Sequence, residues 1–128
     1  MDTRSIVVID DSQVVCKILE VGLHRADYQV KCFADPIDAL QAIRQARGES
    51  QPDLLIVDLG LPRIDGYEVI RLVRSSPEYV HTPIVVLSGR DGVLDRLKAR
   101  LAGADVYLTK PFTIQQVTAT LARLLQRA

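Results

Sequence analysis

The chain has 128 residues, 48% of them hydrophobic and 25% charged, enough for one real hydrophobic core and too ordinary a composition for disorder to dominate. Lys plus Arg equals Asp plus Glu, 16 against 16, so no overall field invites nucleic acid or an acidic membrane surface. The longest apolar runs are as short as Ile84–Leu87, far from the roughly 20 residues of a membrane-spanning helix.

The opening Met1-Asp2-Thr3-Arg4 leads straight into a strand-like run without a signal-peptide pattern. The expectation is a cytoplasmic protein whose residues 1–128 form one domain with its core at about 5–126. Cys16 and Cys32 fall in a helical and a strand-like segment, where small buried hydrophobes are a simpler reading than a disulfide or a metal site.

Ile6-Val7-Val8-Ile9 is a continuous apolar run, the mark of a strand covered on both faces. Val14, Ile18, Val21 and Gly22 then recur at helical spacing and predict a helix from about Ser12 to Arg25. Tyr28–Phe33 reads as a second strand. Asp35-Pro36 is an N-cap followed by proline at the first helical position, opening a helix to about Arg47 with Leu40 and Ile43 on its apolar stripe. After the polar break Gly48–Pro52, Leu54–Val57 forms a third strand and Leu59–Gly66 a loop.

A helix from about Tyr67 to Arg74 stops before Pro77, and Ile84–Leu87 is the fourth strand. Leu94, Leu97 and Leu101 step by three and four along one helical face, with Gly103 as the stop. Val106–Leu108 is a short last strand. Beyond Pro111 a final helix carries Val117, Leu121 and Leu124 on its buried side. Strict βα alternation calls for a parallel sheet with helices on both faces. Ligands of such sheets bind beyond the carboxyl ends of the strands, where the strand order reverses.

Those strand ends carry chemistry. The first ends at Asp10-Asp11, the third at Asp58, the fourth at Ser88 and the fifth at Thr109-Lys110. Each residue alone has a plainer role: Asp11 or Ser12 as a helix cap, Ser88-Gly89 as a loop start, Lys110 as a solvated charge. Together they bring three carboxylates, a hydroxyl and an ammonium to one sheet edge. Carboxylates packed so closely repel unless a cation sits among them. A few hard oxygen ligands suit Mg²⁺, whereas Zn²⁺ would call for His or Cys, and neither His24 nor His81 lies near these strand ends. A metal-bound carboxylate can attack phosphorus, and the transferring group then needs a metal, an ammonium and a hydrogen-bond donor around it.

Val8-Ile9-Asp10-Asp11-Ser12, Asp58-Leu59-Gly60-Leu61-Pro62-Arg63-Ile64-Asp65-Gly66, Leu87-Ser88-Gly89 and Lys110-Pro111-Phe112 together resemble the receiver domain of bacterial response regulators, in order and over Ile6 to about Leu125. The resemblance implies a flavodoxin-like (βα)5 three-layer α/β fold with strand order 2-1-3-4-5, the chemotaxis-receiver order that serves as a general example of doubly wound sheets. It implies Asp58 as phosphoacceptor and Asp11 as a direct Mg²⁺ ligand, with Asp10 helping directly or through water. The Gly60 backbone carbonyl would complete the protein's share of the metal site. Lys110 would pair with a phosphoryl oxygen, across a cis Lys110-Pro111 bond. Ser88 would turn its hydroxyl to the phosphoryl group, and Tyr107 matches the switch aromatic. Gly60 and Arg90 match the variable positions that tune phosphoryl hydrolysis.

The function this implies is a phosphorylatable switch rather than a turnover enzyme. A histidine kinase or phosphotransfer protein would load Asp58. The face made by helix four, strand five and helix five, with Arg96, Lys98, Arg100, Tyr107 and Gln115, would address an effector or output domain or pair with a second copy. The run Ser88–Asp95 with Tyr107–Phe112 is similar to receivers of twitching-motility, pilus-linked chemotaxis systems. Two alternatives stand beside this reading. One is a degenerate receiver that only binds partners. The other is a haloacid-dehalogenase-type phosphatase, whose nucleophile belongs at the end of the first strand with a second acid two residues on, a spacing that Asp10-Asp11-Ser12 lacks.

Overall fold

The computed structural model describes residues 3–126. Five strands, β1 (Ser5–Ile9), β2 (Gln29–Phe33), β3 (Leu54–Val57), β4 (Ile84–Ser88) and β5 (Val106–Thr109), form one parallel sheet in the order β2-β1-β3-β4-β5. The continuous apolar runs occupy its centre: β3 and β4 are buried throughout and β1 beyond its first residue. Such strands cannot alternate with polar residues because both faces are covered. The edge strand β2 instead exposes Gln29 and Lys31, and a charge there discourages pairing with another chain.

Neighbouring residues on each strand point to opposite faces, which splits the interior in two. Ile6, Val8, Leu54, Ile56, Val85 and Leu87 lie under α1 (Gln13–Arg25) and α5 (Ile114–Leu125). On the other face, Val7, Ile9, Leu55, Val57, Ile84 and Val86 meet α2 (Pro36–Gln45), α3 (Gly66–Arg74) and α4 (Val93–Ala102). This is the doubly wound, flavodoxin-like three-layer fold.

Local chemistry sets the helix starts. The Ser12 hydroxyl accepts from the Val15 amide, Asp35 caps α2 ahead of Pro36, and Asp65 accepts from Glu68 N. Thr113 and Gln116 form a reciprocal capping box at α5. Helix α2 ends at Gln45, two residues short of Arg47, because Ala46 is already extended and the chain turns through Gly48–Ser50.

Two apolar stripes turn out to face solvent. In α1 the inward residues are Leu19 and Leu23, with Val15 and Cys16 beside them, while Val14, Ile18 and Val21 are exposed. In α4 only Ala99 and Ala102 are buried. Leu94, Leu97 and Leu101 are 69%, 49% and 77% exposed. Gly22 serves packing of another kind: a Cβ there would lie 2.2 Å from Cγ1 of Ile114, so its absence lets α5 rest directly on α1.

At the amino end of the sheet one side chain ties three segments. Arg74 donates to the carbonyls of Tyr79 and Thr82 (2.7 Å each) and Gly103 (3.0 Å), and pairs with Asp105 at 3.0 Å. Asp105 in turn accepts from the Ile84 amide at 2.8 Å. Cys16 and Cys32 are free thiols. The Cys16 thiol donates to the Asp10 carbonyl at 3.4 Å, and burial pushes both thiols up. Among the described residues no helix is long and apolar enough to cross a membrane.

Candidate functional site

The residues at the carboxyl ends of β1, β3, β4 and β5 converge where the strand order reverses. Main-chain pairing holds the loops in place: Asp10 N donates to Phe33 O, Asp58 N to Ile9 O and Lys110 N to Ser88 O, at 3.0, 2.9 and 2.8 Å. Carboxylate oxygens of Asp10, Asp11 and Asp58 lie within 4.8 Å of one another. Asp10 and Asp58 are buried and Asp11 is exposed, so the cluster opens to solvent on one side.

Hydrogen bonds aim these groups. Asp10 accepts from the Ser12 amide at 2.9 Å and from Lys110 Nζ at 2.8 Å. Asp58 takes its neighbour's Leu59 amide at 2.8 Å on one oxygen, and Lys110 Nζ lies 3.4 Å from the other. One ammonium thus bridges the two buried carboxylates. Burial pushes the Asp10 carboxyl above the usual carboxylate range, and Lys110 and the Ser12 amide pull it only partway back. Burial works against the Lys110 ammonium as well, but Asp10 and Asp58 together outweigh it and hold Lys110 above its ordinary value. The Lys110-Pro111 bond is cis.

Three hard-oxygen carboxylates packed this closely, with one buried at an energetic disadvantage when charged, fit a small divalent cation such as Mg²⁺. Gly60 follows β3 on the exposed rim. A Cβ there would lie 3.8 Å from Nη2 of Arg90, whose guanidinium is the nearest group to this glycine. Gly66 is held more tightly, since a Cβ on it would meet the Asp58 carbonyl at 2.2 Å.

Arg90 has further contacts. Its amide donates to the buried Ser88 hydroxyl at 3.2 Å, and its carbonyl accepts from the Tyr107 hydroxyl at 2.7 Å. The Arg96 guanidinium stacks 4.9 Å from the centre of the Tyr107 ring. A groove of about 500 Å³ runs between α4 and β5, lined by Arg96, Leu97, Arg100, Val106 and Tyr107 among others.

The metal, acceptor and loop residues singled out from sequence thus lie on one edge of the sheet, while Arg96, Lys98, Arg100 and Gln115 lie on α4 and α5. Asp10, Asp58 and Lys110 touch, Asp11 closes the acidic cluster, and Ser88, Arg90 and Tyr107 form a chain of hydrogen bonds beside it. The sequence reading missed Tyr67 and Asp95, whose side chains meet at 2.8 Å next to this loop. They are 28 residues apart on two helices, and no spacing rule connects them.

A doubly wound sheet with an acidic cluster and a lysine at its switch point defines a receiver-type signalling domain. Residues 6–122 match the family model described as the response regulator receiver domain, and the chain belongs to that family. It is 34% identical over 116 residues to Protein PilG of Pseudomonas aeruginosa, covering 91% of this chain and 83% of PilG. Response regulator MprA of Mycobacterium ulcerans is 39% identical over 122 residues, 95% of this chain but 50% of MprA, so the chain spans half the length of that relative. Among solved structures, the chemotaxis response regulator CheY4 of Vibrio cholerae superposes with a TM-score of 0.88 at 29% identity, covering 96% of this chain and 99% of CheY4.

Proposed function

We propose that this chain is a cytoplasmic signalling switch that accepts a phosphoryl group on Asp58 from a histidine kinase or phosphotransfer protein. The observation that carries the reading is the ammonium of Lys110 held between the buried carboxylates Asp10 and Asp58, with a third carboxylate, Asp11, at the open side. Asp10, Asp11, Asp58 and the Gly60 carbonyl would hold Mg²⁺. Bound there, Mg²⁺ offsets the charge of the carboxylate cluster and of the incoming phosphoryl oxygens.

The chain's own residues do the rest. One oxygen of Asp58 is occupied by the Leu59 amide, which leaves the oxygen facing Lys110 to form the bond to phosphorus as the donor's bond breaks. Lys110 exchanges its place at Asp58 for a phosphoryl oxygen while Asp10 keeps it oriented. Ser88, whose oxygen accepts from Arg90 N, retains its own proton to donate to the phosphoryl group. Arg90 lies over Gly60 at the rim and tunes the access of water.

A group bearing about −1.5 to −2 charges beside the Ser88–Gly92 loop shifts the balance between two arrangements of that loop and α4. Tyr107, joined to the loop through the Arg90 carbonyl, follows it. The readout would be the α4–β5–α5 face with Arg96, Lys98, Arg100, Tyr107 and Gln115. Its exposed leucines on α4 supply apolar area for an effector, an output domain or a second copy. The similarity of Ser88–Asp95 and Tyr107–Phe112 to motility receivers supports an effector of that kind.

The test is intact mass after incubation with Mg²⁺ and acetyl phosphate, with Asp58→Asn and metal-free samples alongside. A gain of one phosphoryl group that is absent from both controls is expected. A gain retained by Asp58→Asn would place the acceptor elsewhere.

A further inference from the structure

We infer that Tyr67 and Asp95 are positioning residues for the acceptor site, fastening the first turn of α4 to the first turn of α3 and so holding the Ser88–Gly92 loop back from Asp58. The inference rests on the reading of Asp58 as acceptor.

The two ends of this link are held very differently. Tyr67 belongs to the fixed side. It is buried, and the preceding Gly66 is pressed against the Asp58 carbonyl, with its amide donating to Leu59 O at 2.9 Å. Asp95 belongs to the side that has to move. It sits in the first turn of α4, directly after the loop, and its second carboxylate oxygen lies 3.1 Å from where a Cβ of Gly92 would be. The Tyr67 hydroxyl donates to Asp95 Oδ1 at 2.8 Å, and Lys98 lies 5.9 Å from the centre of the same ring.

Little else holds that end of α4. Only Ala99 and Ala102 of the helix are buried, and both lie in its second half. Other polar contacts of this stretch stay within it, as Arg96 to Asp91 does, run to β5 through Tyr107, or bring Arg90 and Lys98 to the same Tyr67. The loop is therefore pinned at its start by Ser88 and just past its end by Asp95. When Ser88 turns to a phosphoryl group and draws the loop inward, Asp95 follows. Tyr67, anchored through Gly66 at the acceptor itself, does not. The hydrogen bond then belongs to the unloaded arrangement, and a bond made in one arrangement only shifts the balance by its own differential strength. Tyr67 acts on phosphoryl binding through Asp95 and the loop without touching the phosphoryl group.

The experiment measures beryllofluoride affinity, with Mg²⁺ at saturation, for the wild type and Tyr67→Phe, together with the thermal midpoint of each without beryllofluoride. Phenylalanine keeps the buried ring and removes only the hydroxyl. The expected result is binding tighter by about 5-fold or more, a typical size for coupling between sites, accompanied by a lower midpoint. A purely structural role predicts a lower midpoint with unchanged or weaker binding, and that outcome would overturn the inference. Asp95→Ala, which removes the acceptor at a half-buried helix position, should move affinity in the same direction; no tightening in that variant would also overturn it. If the wild type does not bind beryllofluoride at all, the failure lies with the acceptor reading and not with the Tyr67–Asp95 link.

Discussion

Helices α4 and α5 follow one another around β5 and carry apolar residues at the same three-and-four spacing, yet they are used in opposite ways. In α5, Val117, Leu121 and Leu124 are buried and Thr120 joins them. In α4 the leucines point outward and two alanines make the inner contact. Burying a leucine contributes about 1.5–3 kcal/mol relative to leaving it exposed, an alanine far less. Helix α5 is therefore an anchor, and α4 is held more weakly. The leucines that would have pinned α4 stay on the outside.

The contrast can be broken most directly at Leu121. Leu121→Ala should cost about 2–5 kcal/mol, as deletion of a fully buried leucine does, read as a fall in the urea midpoint. Next in size is Arg74, which satisfies three carbonyls and Asp105 under both α4 and β4. Arg74→Ala should lose about 1–3 kcal/mol by leaving those acceptors unpaired, measured in the same denaturation. Leu97→Ala on the outer face of α4 should stay within about 0.5 kcal/mol of the wild type. A loss there as large as at Leu121 would mean that α4 is anchored after all.

Two further measurements sharpen the comparison through charge. The Tyr67 phenol is pushed up to about 12, by burial first and then by its bond to Asp95. As pH rises the unfolded chain gives up this proton first, near its ordinary value of about 10. The stability that Tyr67 contributes is thus complete below about pH 10 and is lost as the pH approaches about 12. Denaturation of wild type and Tyr67→Phe across that window should show the gap between them closing. The smallest effect is expected at Asp10, whose raised carboxyl has the opposite consequence at neutral pH. Its proton leaves the unfolded chain first, so stability from this group falls as pH rises through its folded value. In EDTA, Asp10→Asn should melt no lower than the wild type, while the rise in melting temperature on adding Mg²⁺ should disappear. A marked loss in EDTA would show that the Lys110 pair, not the burial of charge, dominates there.

The elements and the site edge are largely legible in the amino-acid sequence. Short continuous apolar runs bounded by turn residues mark strands covered on both faces, and Asp10, Asp58, Ser88 and Lys110 stand at their carboxyl ends, so the alternation of strands and helices brings them to one edge. Helix orientation was less legible. The spacing of Val14, Ile18 and Val21, or of Leu94, Leu97 and Leu101, identifies a helix by its period, but a period carries no sign, and both stripes point to solvent. The end of α2 was set by the turn at Gly48–Ser50 and not by any residue inside the helix.

By itself the sequence determined the five strands and five helices, the carboxylates and lysine at the strand ends, and membership of the receiver family, because these depend on local period, capping and strings of adjacent residues. Only the tertiary structure decided that one ammonium bridges Asp10 and Asp58, that Arg90 links Ser88 to Tyr107, and that Tyr67 reaches Asp95. The Lys110 bridge, the Arg90–Tyr107 bond and the Tyr67–Asp95 bond join residues from separate βα units, and their distances are fixed by how the strands and helices pack into one sheet.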